Sequence, residues 1–182
     1  MAKKVLVILA EGFEEIEALT PVDLLRRAGA LVTIAGLNSL TVKGSHSINV
    51  NCDITIHEAS LDAYDAVIIP GGMPGSTNLA ASDEVTSRVL NTFSKGALVA
   101  AICAAPAVVL GPLGVLEGKN AVCYPGFEKY SPESNFINKQ VCRDGNLITA
   151  RGAGCAFEFG LEIVSYLYDR DTADKLALST MF

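Results

Sequence analysis

Four short apolar runs constrain this chain more than any other feature. Residues 5–9 (VLVIL), 31–35 (LVTIA), 66–69 (AVII) and 97–102 (ALVAAI) are rich in Val, Ile and Ala, without regular polar alternation. A strand with one wet face alternates, whereas a strand buried on both faces reads as a nearly continuous apolar run. Such strands need helices above and below, and the intervening segments carry helical patterns. Residues 13–28 place Ile16, Leu19, Leu24 and Leu25 at helical spacing, with Gly29 as the stop. Pro21 inside this segment predicts a kink or a local break, because it lacks an N–H. Residues 82–94 predict a helix capped by Ser82, and 157–168 and 172–178 predict closing helices. Strand and helix in this order specify an α/β fold with a doubly wound, mostly parallel sheet. Residues 41–56 break the alternation and read as short strands. So do 119–122 and 140–150, the second folded into a hairpin at Asp144-Gly145-Asn146. No repeat, low-complexity segment or linker interrupts the 182 residues, so one domain over 1–182 is expected.

Charge and cysteine content narrow the function classes. The net charge is -6 and no basic cluster exists, which argues against nucleic acid and anionic membranes as partners. No apolar run is long enough to cross a bilayer. The opening MAKKVLVILAEGFEE places two lysines before an apolar run, as a secretion signal does. Acidic residues come at once with no small-residue cleavage site, so a buried first strand is the better reading. Five cysteines, an odd number with no C-x-x-C pair, argue against a disulfide framework or a zinc site. Scattered thiols point to a reducing, cytoplasmic compartment, and no metal or cofactor is expected. Any one of these cysteines could be a small buried hydrophobe and nothing more.

In open α/β sheets ligands bind beyond the carboxyl ends of the strands, and three features fall there. After the first strand comes Glu11-Gly12-Phe13-Glu14-Glu15-Ile16-Glu17. Acidic residues suit a helix start, which accounts for Glu14 and Glu15 but less well for Glu17, deeper in the helix. After residues 66–69 comes Pro70-Gly71-Gly72-Met73-Pro74-Gly75. Paired glycines can turn the backbone and expose N–H groups to an anion, although an ordinary glycine turn looks the same. It is neither a P-loop nor G-x-G-x-x-G. After residues 97–102 comes Cys103, with Ala104-Ala105-Pro106 beyond it. A cysteine where a buried strand runs into a helix has the layout of a nucleophile elbow, with alanines in place of the usual glycines. The helix start near Ala104 is expected to lower the thiol pKa. The only histidines, His46 and His57, lie in or next to the irregular region 41–56, so a Cys-His-Asp triad is not evident. Glu17 is the alternative proton partner, because a carboxyl in an apolar pocket has a raised pKa and can donate.

The segments VLVILAEGFEEIEALTPVDLLRRAG, YDAVIIPGGMPG, AAICAAP and LITARGAGCAFEFGLEIV make the chain resemble the ThiJ/PfpI superfamily over nearly its whole length. Within it, the resemblance is to the branch of the parkinsonism-associated protein deglycase and its bacterial relatives. It implies a flavodoxin-like sandwich with a nucleophile elbow, assembled as a homodimer. It carries the family's reactive cysteine onto Cys103, its hydrogen-bonding glutamate onto Glu17 and the backbone oxyanion groups onto Gly72 and Ala104. Gly71, Tyr124, Arg27 and His46 are further candidates for lining the site, Arg27 from the partner's side, and Cys52 is placed near the dimer interface. The sequence departs from the deglycase relative at Tyr124-Pro125, where that relative has a histidine before proline, and at His46, where it has another basic residue. Tyr124 is a poor proton shuttle near neutral pH. The implied activity is a cysteine-dependent glyoxalase or deglycase acting on methylglyoxal or its early protein adducts. The alternative is a non-enzymatic sensor of oxidative stress, or a chaperone, working through oxidation of Cys103 to the sulfinate.

Overall fold

The computed structural model describes residues 2–182. All four apolar runs lie in one seven-stranded sheet. In chain order its strands are β1 (Lys4–Leu9), β2 (Leu31–Gly36), β5 (Ile54–Thr55), β6 (Ala66–Ile69), β7 (Leu98–Ile102), β10 (Val141–Asp144) and β11 (Leu147–Ala150). Across the sheet the order is β10-β11-β7-β6-β1-β2-β5, parallel throughout except for the antiparallel pair β10–β11. The runs lack alternation because both faces are covered. Val5, Val7, Leu9 and Ile68 face α1 (Glu15–Arg27), α4 (Ala156–Leu167) and α5 (Arg170–Ser179), packing with Leu25, Phe159 and Ile163. Leu6, Ile8, Val67 and Ile69 face the other way, toward Leu79 of α2 (Gly75–Ala80), Val85 and Val89 of α3 (Asp83–Ser94), and Leu110. Fully burying each such side chain contributes about 1.5–3 kcal/mol.

The helices expected over 13–28, 82–94, 157–168 and 172–178 form, with one correction. Pro21 does not break α1, which is continuous over 13 residues. Pro21 is buried against α4, where a methyl built on Gly160 would stand 3.3 Å from the Pro21 Cα and 2.7 Å from Leu24 Cδ1. Close packing at Gly160 compensates for the one backbone bond the proline removes. Ser82 caps α3 by accepting from the Val85 N–H. The irregular region 41–56 divides. β3 (Thr41–Lys43) and β4 (Asn49–Asn51) form a separate antiparallel hairpin, while β5 joins the sheet edge beside β2. The predicted hairpin over 140–150 forms as β10–β11, with Gly145 at φ +64° in its turn. Of 119–122, only β8 (Asn120–Ala121) is strand, paired in parallel with β9 (Asn135–Phe136). Among the described residues no helix is long and apolar enough to cross a membrane.

From β1 the chain winds outward through β2 to β5, then returns to build β6, β7 and β11 on the other side. The direction of winding therefore switches between β1 and β6. Their carboxyl ends open the crevice where doubly wound sheets bind ligands.

Candidate active site

Three loops meet at that crevice. At the end of β7, Cys103 adopts φ +65°, a left-handed conformation that costs a non-glycine residue about 1–2 kcal/mol. The surroundings hold it there: the Cys103 N–H donates to the Ala150 carbonyl at 2.9 Å, and its carbonyl accepts from the Tyr124 N–H at 2.7 Å. This is the expected elbow. Beyond it the chain makes a turn and one π-helical stretch, Pro106–Leu110, rather than a regular α-helix.

Glu17, on the first turn of α1, is 1% exposed. The Glu14 carboxylate orients that turn by accepting from the Glu17 N–H at 2.8 Å. The Glu17 Oε2 accepts from the Gly71 N–H at 2.9 Å. The Ala153 N–H and the Cys103 thiol are its other partners. Burial and the nearby Glu14 charge push the Glu17 carboxyl up to about 7, against the opposing pull of these hydrogen bonds.

The expectation of a lowered thiol pKa is reversed. Burial, followed by the charge and hydrogen bond of Glu17, pushes the Cys103 thiol up to about 12, although the Gly72 and Ala104 N–H groups pull the other way. The regular helix expected to favour the thiolate is absent, and a carboxylate stands in front of the sulfur. Cys103 and Glu17 therefore titrate as a pair. Once Glu17 holds the proton, the like charge opposing the thiolate is gone and the two N–H groups face an anionic sulfur.

Gly71 makes the contact possible. A methyl there would stand 2.5 Å from both the Cys103 Cβ and the Glu17 Oε2. No side chain fits between the two groups, so only a bare backbone can bring its N–H to the carboxylate. The structure thus brings together Cys103, Glu17, Gly71, Gly72 and Ala104. Tyr124 adjoins them through its backbone, while its half-exposed ring packs edge-on against Phe127. His46 does not reach the sulfur. Its Nδ1 lies 2.9 Å from Glu15 Oε2 and 3.8 Å from Glu14 Oε1. The donor atoms of Glu14, Glu15 and His46 lie within 4.8 Å of one another. The Glu15 carboxylate is already occupied by the N–H groups of His46 and Ile48, so the cluster closes a turn. Arg27 sits at the far end of α1, about 15 Å along the axis from Glu17, paired with Asp23 at 2.6 Å.

Two features escaped the reading of the sequence. The Ala153 N–H belongs to a fourth strand end, beyond β11, where Arg151-Gly152-Ala153-Gly154 was the available signal. The second is a cavity of about 570 Å3 lined by Tyr124, Pro125, Gln140, Arg151, Gly152, Ala153, Gly154 and Cys155. A cavity of about 540 Å3 between Glu11, His57 and Glu84 touches neither member of the pair.

Residues 3–166 match the model of the DJ-1/PfpI family. The chain belongs to the DJ-1/PfpI family. It is 41% identical over 180 residues to protein dj-1beta of Drosophila melanogaster, covering 97% of this chain and 96% of that protein. It is 38% identical over 179 residues to the Parkinson disease protein 7 homolog of Danio rerio, covering 96% and 94%. It is 37% identical to DJ-1 homolog B of Arabidopsis thaliana over 98% of this chain, but spans only 41% of that relative's length. An archaeal DJ-1/PfpI relative from Pyrococcus abyssi, named a deglycase, is 28% identical over 90% of this chain and 99% of its own. Among solved structures, oxidized DJ-1 of Toxoplasma gondii superposes with a TM-score of 0.96 at 38% identity, covering 100% of this chain and 99% of that one. These matches support the expected family, branch and sandwich fold.

Proposed function

We propose that this protein is a cysteine-dependent glyoxalase or deglycase, acting on methylglyoxal or its early adducts on proteins. The observation that carries the reading is the partly buried Cys103 paired with the buried Glu17, with two backbone N–H groups at the sulfur. The name of the archaeal relative agrees with it. The Cys103 sulfur adds to the aldehyde carbon as its proton passes to Glu17, which then returns it to the oxygen, giving a hemithioacetal and a free carboxylate. The Gly72 and Ala104 N–H groups hold the oxygen that becomes negative. With a pKa of about 7, Glu17 is present in both protonation states near neutrality. It can therefore accept the proton from carbon and return it during rearrangement to a thioester, which water hydrolyses to a 2-hydroxy acid. Turnover of methylglyoxal that survives Cys103→Ser would sink the proposal.

A second reading uses the same constellation. Peroxide oxidises the Cys103 thiolate stepwise to the sulfinate, two equivalents being reduced to water, and the N–H groups with protonated Glu17 hold its oxygens. The solved structure of oxidized DJ-1 from Toxoplasma gondii supports this reading. We further infer a single-domain homodimer in a reducing, cytoplasmic setting. Ile16 and Ile48 stand more than half exposed near the start of α1 and offer an apolar contact for a partner, and all five thiols are free.

A further inference from the structure

Six arginines occur in the sequence, and all but Arg151 have strong acceptors. Arg26, Arg27, Arg143 and Arg170 pair with Asp53, Asp23, Glu162 and Asp174. Arg88 donates to the carbonyls of Ile56, Ala59 and Glu84. Arg151 has one side-chain partner, the neutral amide oxygen Asn138 Oδ1, at 3.3 Å. Among the described residues no carboxylate pairs with it, in a chain of net charge -6. It is also set in a concavity. Arg151 borders both the cavity of about 570 Å3 and a neighbouring one of about 270 Å3 lined by Cys123, Glu128 and Lys139 among others. No acidic residue lines the larger cavity. Its lining combines the polar side chains of Arg151 and Gln140 with Tyr124 and Pro125. Two of its lining residues support the reactive pair directly, Tyr124 at the Cys103 carbonyl and Ala153 at the Glu17 carboxylate.

We propose that the larger cavity is a carboxylate site, in which Arg151 grips the carboxylate of a 2-hydroxy or 2-oxo acid and Tyr124 and Pro125 hold its apolar substituent. The planar guanidinium matches a carboxylate through two parallel hydrogen bonds, and no carboxylate of the described residues lies within ion-pair distance of it. The volume lies in the range of small-molecule sites and exceeds what a three-carbon acid fills, so an aryl substituent should bind better than a methyl. The inference deepens the reading above, whose product is a 2-hydroxy acid, but its test needs no catalysis.

The experiment is calorimetric titration of mandelate and of lactate into the Cys103→Ser protein, where no covalent chemistry competes. Mandelate should bind saturably, more tightly than lactate, and more weakly as salt rises. Arg151→Gln should weaken binding about tenfold to a hundredfold, and Arg151→Lys, which keeps the charge without the fork, should recover part of the loss. No saturable binding to the parent, a salt-independent Kd, or equal Kd values in parent and Arg151→Gln would each overturn the site. If Arg151→Gln fails to fold, Arg151→Lys and the salt series still decide. Lactate binding as tightly as mandelate would overturn the assignment of Tyr124 and Pro125. Loss of the proposed enzyme activity alongside intact mandelate binding would count against the function and leave this site standing.

Discussion

Cys103 and Cys123 lie on loops joined by a backbone hydrogen bond from Tyr124 to Cys103, and burial is the main cause raising both thiols to about 12. Their surroundings differ in every other respect. Cys103 is held at positive φ, faces two N–H donors and touches a carboxyl able to take its proton. Against Cys123 the only other influence is the Glu128 charge, which also opposes ionisation, and no donor faces its sulfur. Cys52 and Cys142 are raised as well, first by burial. A raised thiol pKa therefore does not by itself set Cys103 apart from the other cysteines. The difference lies in whether the proton has somewhere to go and the resulting anion has donors waiting.

The sharpest way to break this contrast is to remove each sulfur in turn. Cys103→Ser should lower kcat/KM for methylglyoxal by at least about a thousandfold, while Cys123→Ser stays within about twofold. Equal losses would show that the elbow is not the reactive site. Next in size, Glu17→Gln keeps the shape but cannot accept a proton, and should cost about 10²–10⁴ in rate. In the same variant the carboxylate charge that opposes the thiolate is gone, so alkylation of Cys103 at pH 7 should quicken relative to Cys123, read by mass spectrometry of the labelled peptides. Slower labelling of Cys103 would mean that the Glu17 charge does not oppose its ionisation.

A third test concerns stability. The folded pKa of Glu17, about 7, lies above the ordinary 4.5. Its contribution is thus fully present below pH 4.5 and lost as pH rises through 7. Relative to Glu17→Gln, the native protein should lose about 3 kcal/mol between pH 4.5 and pH 8, measured by urea unfolding at each pH. Parallel profiles would show that the carboxyl is not buried with its charge uncompensated. The smallest effect is expected at Arg27, whose exposed i,i+4 pair with Asp23 should contribute no more than about 0.5 kcal/mol. A larger change for Arg27→Ala would have to come from a partner subunit and would sharpen the dimer proposal. A monomer mass by light scattering would remove it.

Much of the site was legible because it is made of local features. Each strand end announces itself where an apolar run meets Gly-Gly, a cysteine or a cluster of glutamates, and the winding rule sends those ends to one edge. Cys103, Glu17 and the Gly71-Gly72 turn became candidates that way, and the structure brings them together. Arg27 and His46 came only from resemblance, and a single chain leaves both away from the sulfur.

The residue pattern alone determined the parallel sheet, its two buried faces, the elbow and the β10–β11 hairpin, because period, turn residues and strand order are properties of short stretches. Tertiary structure decided whatever depends on groups distant in sequence. The Gly71 N–H reaches Glu17 across 54 residues, and no local pattern carries that distance. The direction of the Cys103 shift was settled by burial and by a carboxylate from another loop, which together outweigh the N–H groups at the sulfur. Helix α1 continues through Pro21 because Gly160, far along the chain, lets α4 pack against it. The lack of a carboxylate at Arg151 became visible only once the fold had placed the carboxylates that pair with the exposed arginines. Pairing and desolvation are sums over neighbours in space, and the fold assigns those neighbours.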